Sequence, residues 1–157
     1  MFGDGIAAQV IPVGVVATVV MDVISVLRAR LSGVRGLDYA LLGRWMLHMW
    51  SGRWFHNNIA TTEQRGGERP FGWLLHYVIG VIWAAPAVWM VQAGASVVAA
   101  AFVVGVGSVV APWFVMQPAF GMGIAGRKLP EPWTARSRSL QTHLTFALGL
   151  WVGLRVI

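Results

Sequence analysis

The chain has 157 residues, of which 57% are hydrophobic and only 11% charged, whereas soluble domains usually carry about 25% charged residues. This composition excludes an ordinary soluble surface and indicates that lipid covers much of the chain, and the absence of cysteine excludes disulfides, thiolate metal sites and cysteine nucleophiles. The net charge of +6 does not indicate nucleic-acid binding, because the basic residues flank apolar runs as they do in membrane proteins.

The apolar runs predict the helices in chain order. Residues 6–27 form the first run, which matches the roughly 20 residues of a spanning helix. The first charge of the chain is Asp4 and not a positive residue, so we expect a retained helix and not a signal peptide. In the segment 37–55, apolar residues at helical spacing are interspersed with Arg44, His48 and Arg53, which predicts an amphipathic helix in the membrane interface.

Three further runs follow this segment. Residues 71–93 and 95–116 are separated by a tight turn and predict a helical hairpin, and residues 139–157 predict a fourth span. The predicted fold class is therefore all-α. We expect one polytopic domain over residues 1–157, with four transmembrane helices and one interfacial helix.

The basic residues orient this predicted bundle. Eleven of the twelve Lys and Arg residues lie between the first and second spans or between the third and fourth, and Arg155 is the other one. The positive-inside rule then predicts that these two loops are cytoplasmic and that both termini lie outside the cytoplasm. The expected partners are the lipid bilayer with its anionic phospholipid headgroups and a second copy or another membrane protein.

A small set of polar side chains remains once topology has explained the basic residues. Asp22, His76 and His143 lie near the cytoplasmic ends of three predicted spans, and they are expected to face the bundle interior because a charged or imidazole group facing lipid is costly. His48 and His56 on the interfacial segment are expected to join this layer. The supporting candidates are Arg44, Arg53, Met116 and Gln117.

Several interpretations of this layer stay open. The first is interhelical hydrogen bonding that only stabilises packing. The second is a cofactor, either a transition metal held by Asp22, His76 and His143 with His48 or His56, or a haem with His76 and His143 as axial ligands. The third is a proton or substrate relay in a small transporter, and the fourth is a scaffold or assembly subunit. The sequence contains no Ser/His/Asp elbow, paired-carboxylate site, Walker loop or H-E-x-x-H motif, which argues against hydrolases and ATP-driven machines. It leaves open whether the protein is an enzyme.

Glycine patterns add two structural expectations. The stretch 121–126 fits G-x-G-x-x-G, but it follows a membrane helix and not a strand, so we interpret it as a turn leaving the bilayer. Gly149 and Gly153 form G-x-x-x-G, which predicts close helix packing inside the bundle or in a dimer. The basic residues after the turn are expected to contact lipid phosphate, namely Arg127, Lys128, Arg136 and Arg138.

Five segments are distinctive as a set: residues 20–22, 37–45, 52–56, 76–80 and 111–119, which read VMD, LDYALLGRW, GRWFH, HYVIG and APWFVMQPA. Together they resemble a family of small bacterial inner-membrane proteins that is known only as a domain of unknown function. The resemblance covers essentially the whole chain. It implies a four-helix protein of the bacterial inner membrane, and it implies no activity.

Overall fold

The computed structural model describes residues 3–34 and 36–157, with side chains described from residue 8 onward. Within these residues there is no strand, which confirms the predicted all-α class. Arg35, one of the basic residues used to orient the bundle, lies outside the described residues. The α-helices are α1 Gly3–Ser32, α2 Tyr39–Met49, α3 Glu68–Gln92, α4 Val97–Gly107, α5 Gln117–Ala119 and α6 Pro132–Val156. Between them lie a π-helix, Pro112–Met116, and two 3₁₀ turns, Ile59–Thr61 and Ile124–Gly126.

Three stretches in the described part of the chain are long and apolar enough to cross a membrane: Ala8–Ser32, Glu68–Gln92 and Val97–Ala119. They correspond to the first three predicted runs. The fourth run lies in α6. This helix is as long as α3, but it is not one of the three candidate spans. Its first half carries Arg136, Arg138 and Gln141, and Arg155 lies near its end. The described residues therefore contain three candidate spans where the sequence predicted four.

The predicted interfacial helix is shorter than expected. It begins after Asp38, whose side chain caps the helix by accepting a hydrogen bond from the Ala40 N–H at 3.0 Å, and it ends at Met49. Residues 50–55 leave the helix through a turn in which Gly52 has φ +80°, a conformation that favours glycine. The predicted range 37–55 thus contains a helix of 11 residues and a following loop.

The third span is not a continuous α-helix. Regular α4 ends at Gly107, and the chain continues through the π-helix and α5 to Ala119. Pro112 and Pro118 explain the change, because neither residue has an N–H to donate to the preceding turn. The Gln117 N–H instead reaches back five residues to the Pro112 carbonyl, which is the hydrogen bond of a π-helix.

Contacts divide the chain into two compact units. Unit 1 comprises Met1–Gly36, Tyr77–Ser108 and Gln141–Ile157, and unit 2 comprises Leu37–His76 and Val109–Leu140. Helices α3 and α6 therefore contribute residues to both units. The prediction of a single domain over residues 1–157 stays a prediction.

Unit 1 is built on close helix contacts through small residues. A Cβ atom on Gly149 would overlap the backbone of Ala17, and one on Gly105 would overlap Ala147. The G-x-x-x-G pair of α6 is therefore used inside the unit, where Gly149 and Gly153 face α1. The core behind these contacts contains Val13, Ala17, Met21, Ala84, Ala87, Val88, Ala101, Val104, Phe146 and Leu150.

Unit 2 is built on a helix crossing and on a loop that hydrogen bonds to a helix end. Gly43 of α2 and Gly72 of α3 approach so closely that a Cβ on either would overlap the other helix's backbone. The His56 N–H donates to the Ala119 carbonyl at 2.8 Å, and the Ile59 N–H donates to the Phe120 carbonyl at 3.1 Å. The core of this unit contains Ile59, Ala119 and Phe120, with Leu41, Trp45, Met116 and Met122 packed against them.

Candidate functional site

The polar side chains of unit 1 pair across helices. The Tyr77 hydroxyl donates to the Asp22 carboxylate at 3.1 Å and links α3 to α1. The Arg28 guanidinium donates to the Gln141 amide oxygen at 2.6 Å and links α1 to α6. These contacts have the geometry of the interhelical hydrogen bonds that stabilise membrane bundles.

His143 belongs to the same set. Its Nδ1 lies 2.6 Å from the Ser108 hydroxyl oxygen, which itself lies 2.6 Å from the Gly105 carbonyl oxygen. When Ser108 donates its one proton to that carbonyl, the Nδ1 atom of His143 must carry a hydrogen and donate to the hydroxyl. The geometry therefore favours an imidazole that carries a hydrogen on Nδ1 and is held between the end of α4 and α6.

Arg44 organises the loop region of unit 2. Its side chain is 5% exposed and makes a two-pronged ion pair with Glu68, through Nε–Oε2 at 2.9 Å and Nη2–Oε1 at 2.7 Å. The remaining Nη1 donates to the carbonyls of Ile59, Ala60 and Thr62 at 3.0–3.2 Å. The hydrogen bonds to Glu68 raise the pKa of Arg44 above its ordinary value. Arg44 thus holds α2, α3 and the intervening turn together, which is a structural role.

Two of the predicted histidines also have defined contacts in unit 2. His48 places its Nε2 atom 2.9 Å from the Glu63 carbonyl. His76 is buried and stacks on Tyr39, with 4.0 Å between ring centroids and 21° between planes, and it meets the edge of Trp73. Both side chains therefore contribute to the packing of the loop and of α2 against α3.

Four buried polar atoms in unit 2 have no hydrogen-bond partner among the described residues. They are His56 Nδ1, His56 Nε2, Trp113 Nε1 and Gln117 Oε1. His56 is 5% exposed and Gln117 is 7% exposed. The amide nitrogen of Gln117 does have a partner, the Ser139 hydroxyl at 3.3 Å. Because most buried polar atoms in native proteins are paired, four unpaired ones in a single unit point to a functional site.

These atoms come from two segments that are joined to each other. Trp113 and Gln117 lie four residues apart on the π-helical stretch and its end, and His56 donates its backbone N–H to Ala119, two residues beyond Gln117. π-Helical turns occur frequently at functional sites. Met116, a predicted supporting residue, closes this stretch by packing on the core of unit 2.

The protonation state of His56 defines what the site can bind. Burial lowers the pKa of His56 below its ordinary value of 6.5, and the positive charge of Arg53 lowers that pKa further. Near neutral pH the ring is therefore neutral, with one nitrogen donating and the other accepting. Together with the Trp113 N–H and the Gln117 carbonyl oxygen, the unpaired atoms comprise two donors and two acceptors and carry no net charge.

The metal hypothesis gains no support from this arrangement. Among the described residues, no group of three or more His, Asp and Glu side chains could hold one metal ion. Asp22 and His143 belong to unit 1, whereas His48, His56 and His76 belong to unit 2. The expectation that Asp22, His76 and His143 share one depth stays a prediction.

Sequence reasoning selected His56 and Gln117 but did not assign a role to Trp113. With nine Trp residues in the chain, Trp113 was one of many rings expected at the membrane boundary. The signal that marks it is its place between Pro112 and Pro118, where missing N–H groups force an irregular helical turn. Tyr77, Ser108 and Glu68, the partners of three predicted residues, were also missed because their partners are distant in sequence.

Helices long and apolar enough to cross a membrane indicate that this all-α chain is a membrane protein, and the closely packed small residues and interhelical hydrogen bonds agree with that class. Over residues 11–157 the chain matches the model of the family described as Protein of unknown function (DUF2938), and it belongs to that family. This match confirms the resemblance drawn from the five sequence segments. No curated protein and no solved structure matches the chain.

Proposed function

We propose that this membrane protein binds a small, uncharged polar solute through His56, Trp113 and Gln117. The observation that carries the proposal is the set of four buried, unpaired polar atoms in unit 2. Leaving a buried donor or acceptor unpaired costs about 1–3 kcal/mol for each group. A ligand that pairs with these atoms would recover that free energy, and this recovery is the source of its affinity.

The ligand class follows from the groups that the site offers. Trp113 can only donate, the Gln117 oxygen can only accept, and a neutral His56 does both. None of the three is charged in that state, so the site matches neither a free cation nor a free anion. A compound with hydroxyl or amide groups, which carries donors and acceptors together, fits this set.

The proposed setting is a bundle of four spans in the bacterial inner membrane. The support for α6 as the fourth span is an apolar, exposed stripe at helical spacing, formed by Leu140, Leu144, Leu148 and Trp151. The distribution of Lys and Arg supports cytoplasmic loops and external termini, and the amphipathic α2 is proposed to lie at the interface. Transport of the solute, the alternative drawn from the sequence, is the activity that such a site would serve.

Trp113 provides a direct test of binding. The full chain, labelled with ¹⁵N at its Trp indoles and kept in detergent micelles, would be titrated with acetamide or glycerol while its indole N–H signals are recorded by NMR. We expect a saturable shift of the one signal that is missing from a Trp113→Phe variant. Acetate and methylammonium, which are charged compounds of similar size, should leave that signal in place.

His56→Phe is the companion variant, because it keeps a ring but removes both nitrogen atoms. We expect the neutral probes to shift the Trp113 signal much less in this variant. His48→Phe should keep the response, because it retains a ring against the edge of His56, at 5.3 Å between centroids, and removes only nitrogen atoms that do not belong to the proposed site. The proposal would be contradicted if neither neutral probe changes the chemical shift of the Trp113 indole N–H, or if the charged compounds change it equally.

A further inference from the structure

The chain makes a glycine-rich turn after the third span. Residues 121–128 follow Ala119, and φ is positive at Gly121, Gly123, Ala125 and Gly126. Ala125 adopts the left-handed region at φ 48°, ψ 38°, which is unusual for a residue other than glycine. The Arg136 Nε–H donates to the Ala125 carbonyl at 3.0 Å, and the Lys128 N–H donates to the Met122 carbonyl at 2.9 Å. The turn is therefore tied to α6 and to itself.

This turn gathers positive charge. A Cβ atom on Gly123 would lie 2.9 Å from Arg127 Cγ and 3.0 Å from Lys128 Cγ. The first carbons of both basic side chains therefore pack against the same glycine. Arg136 approaches the same turn through its bond to Ala125. We call Arg127, Lys128 and Arg136 the basic turn.

Within the described residues, no ion pair joins a carboxylate to Arg127, Lys128 or Arg136. The ion pairs Arg44–Glu68 and Arg65–Glu63 lie elsewhere in unit 2. The nearby Glu131 accepts a hydrogen bond from the Thr134 hydroxyl at 2.9 Å. Three like charges close together repel one another, and an anion bound between them would remove that repulsion.

Apolar side chains stand beside these charges. Trp133 is 78% exposed and Ile124 is 46% exposed, and the Arg136 guanidinium carbon lies 4.7 Å from the centroid of the Trp133 ring. A surface that presents cations next to exposed apolar groups matches an amphiphile and not a small inorganic ion. Trp is also a residue that prefers the headgroup level of a bilayer.

The position of the turn in the chain agrees with this match. The third candidate span ends at Ala119, and the turn begins two residues later. A segment that follows a spanning helix so closely lies at the level of the lipid headgroups.

We propose that the basic turn binds the phosphate of an anionic phospholipid, with Trp133 and Ile124 against the glycerol and upper acyl region. Arg127 and Lys128 supply the positive charge, and Arg136 holds the turn in shape while adding a third charge. The residues that would bind the phosphate are not those of the proposed solute site, although the turn adjoins Gln117: a Cβ atom on Gly126 would lie 3.6 Å from Gln117 Oε1. The proposal adds Trp133 and Ile124 to the basic residues already expected to contact lipid phosphate.

Native mass spectrometry of the full chain in detergent would test this site. The chain would be titrated with dioleoylphosphatidylglycerol, which is anionic, and with dioleoylphosphatidylcholine, which has no net charge. We expect preferential binding of the anionic lipid. The variant R127Q/K128Q should lose about thirtyfold in affinity for that lipid, from roughly 1 kcal/mol for each basic residue near an anionic surface.

Two control variants keep the result interpretable. R30Q/R69Q removes two exposed positive charges elsewhere, and its affinity for the anionic lipid should stay within about threefold of the parent. R127K/K128R keeps both charges and should keep the affinity, which separates loss of charge from loss of folding.

Soluble glycerol 3-phosphate distinguishes the source of the phosphate. At millimolar concentration it should not displace the anionic lipid. If it displaces the lipid efficiently, the site takes a free phosphate compound and the lipid proposal is wrong. Equal lipid affinity in R127Q/K128Q and the parent chain would also overturn it.

Discussion

Unit 1 and unit 2 differ in how completely their inward polar side chains are paired. In unit 1, Asp22, His143 and Arg28 each meet a polar partner on another helix. In unit 2, His56, Trp113 and Gln117 bury polar atoms that have no partner among the described residues. Paired polar groups hold a bundle together, whereas unpaired ones reduce its stability and persist where binding requires them. The comparison directs the search for function to unit 2.

Arg44 tests the part of unit 2 that is fully paired. We expect Arg44→Met to lower the free energy of unfolding by about 3–5 kcal/mol, because the Glu68 carboxylate and three carbonyls lose their partner in a buried place. Unfolding by SDS titration of the detergent-solubilised chain would measure the change. Arg65→Met is the control, since that arginine is exposed and lies 4.0 Å from Glu63, and it should cost no more than about 0.5 kcal/mol. Similar losses in both variants would contradict this account of Arg44.

Gly149 tests the tight packing of unit 1. An added methyl group would overlap the Ala17 backbone, so we expect Gly149→Ala to lower the free energy of unfolding by about 2–3 kcal/mol. Gly107→Ala is matched to it, because it is also helical but its added methyl meets nothing within 4 Å in the described structure. That control should be neutral or slightly stabilising, since Ala favours helix over Gly. A tolerated Gly149→Ala would show that α1 and α6 do not pack as described.

Ser108 tests a paired polar group of unit 1. We expect Ser108→Ala to lower the free energy of unfolding by about 1–2 kcal/mol, because the Nδ1 atom of His143 would lose its partner. The double variant Ser108→Ala/His143→Phe removes both members and should recover part of that loss. The double variant should therefore lose less unfolding free energy than the two single variants lose together. If it loses as much or more, the Ser108–His143 pair is not the source of the effect.

Replacing His56 should stabilise the protein, unlike the three changes above. We expect His56→Phe to raise the free energy of unfolding of the solute-free chain by about 1 kcal/mol, since it removes two buried nitrogen atoms that have no protein partner in the described structure. His48→Phe should lower it by a similar amount, because Glu63 would then lose a hydrogen bond. If both variants lower the free energy of unfolding, the His56 nitrogen atoms are not unpaired as described.

The pH dependence of stability tests the lowered pKa of His56. Burial lowers the pKa of folded His56 below 6.5, so below that pH the unfolded chain takes up a proton that the folded chain does not. This histidine therefore destabilises the fold as the pH drops from 6.5 toward its folded pKa, by at most about 1.4 kcal/mol per pH unit. The measurement is the difference in unfolding free energy between the parent and His56→Phe across this range. A difference that does not change with pH would contradict a lowered pKa.

The sequence predicted those features that depend on local composition. The apolar runs located α1, α3 and the third span, and burial of His56, His76 and Gln117 agrees with their selection as unusual polar residues. The pairing of His56 with Ala119 could not be predicted, because it joins residues that no local pattern connects. The helix at 132–138 was missed because its polar residues lack an apolar period, although tertiary context still makes it the start of α6.

The π-helix has a consequence for how this region tolerates change. A π-turn holds one more residue between its hydrogen-bonded partners than an α-turn does. Removal of one residue from 114–116 would therefore let this stretch return to a regular α-helix and leave the residues after it in nearly their present orientation, because the wider turn is what accommodates the extra residue. Trp113 and Gln117 would then be three residues apart instead of four. The spacing of these two proposed binding residues thus depends on one residue that the helix itself does not need.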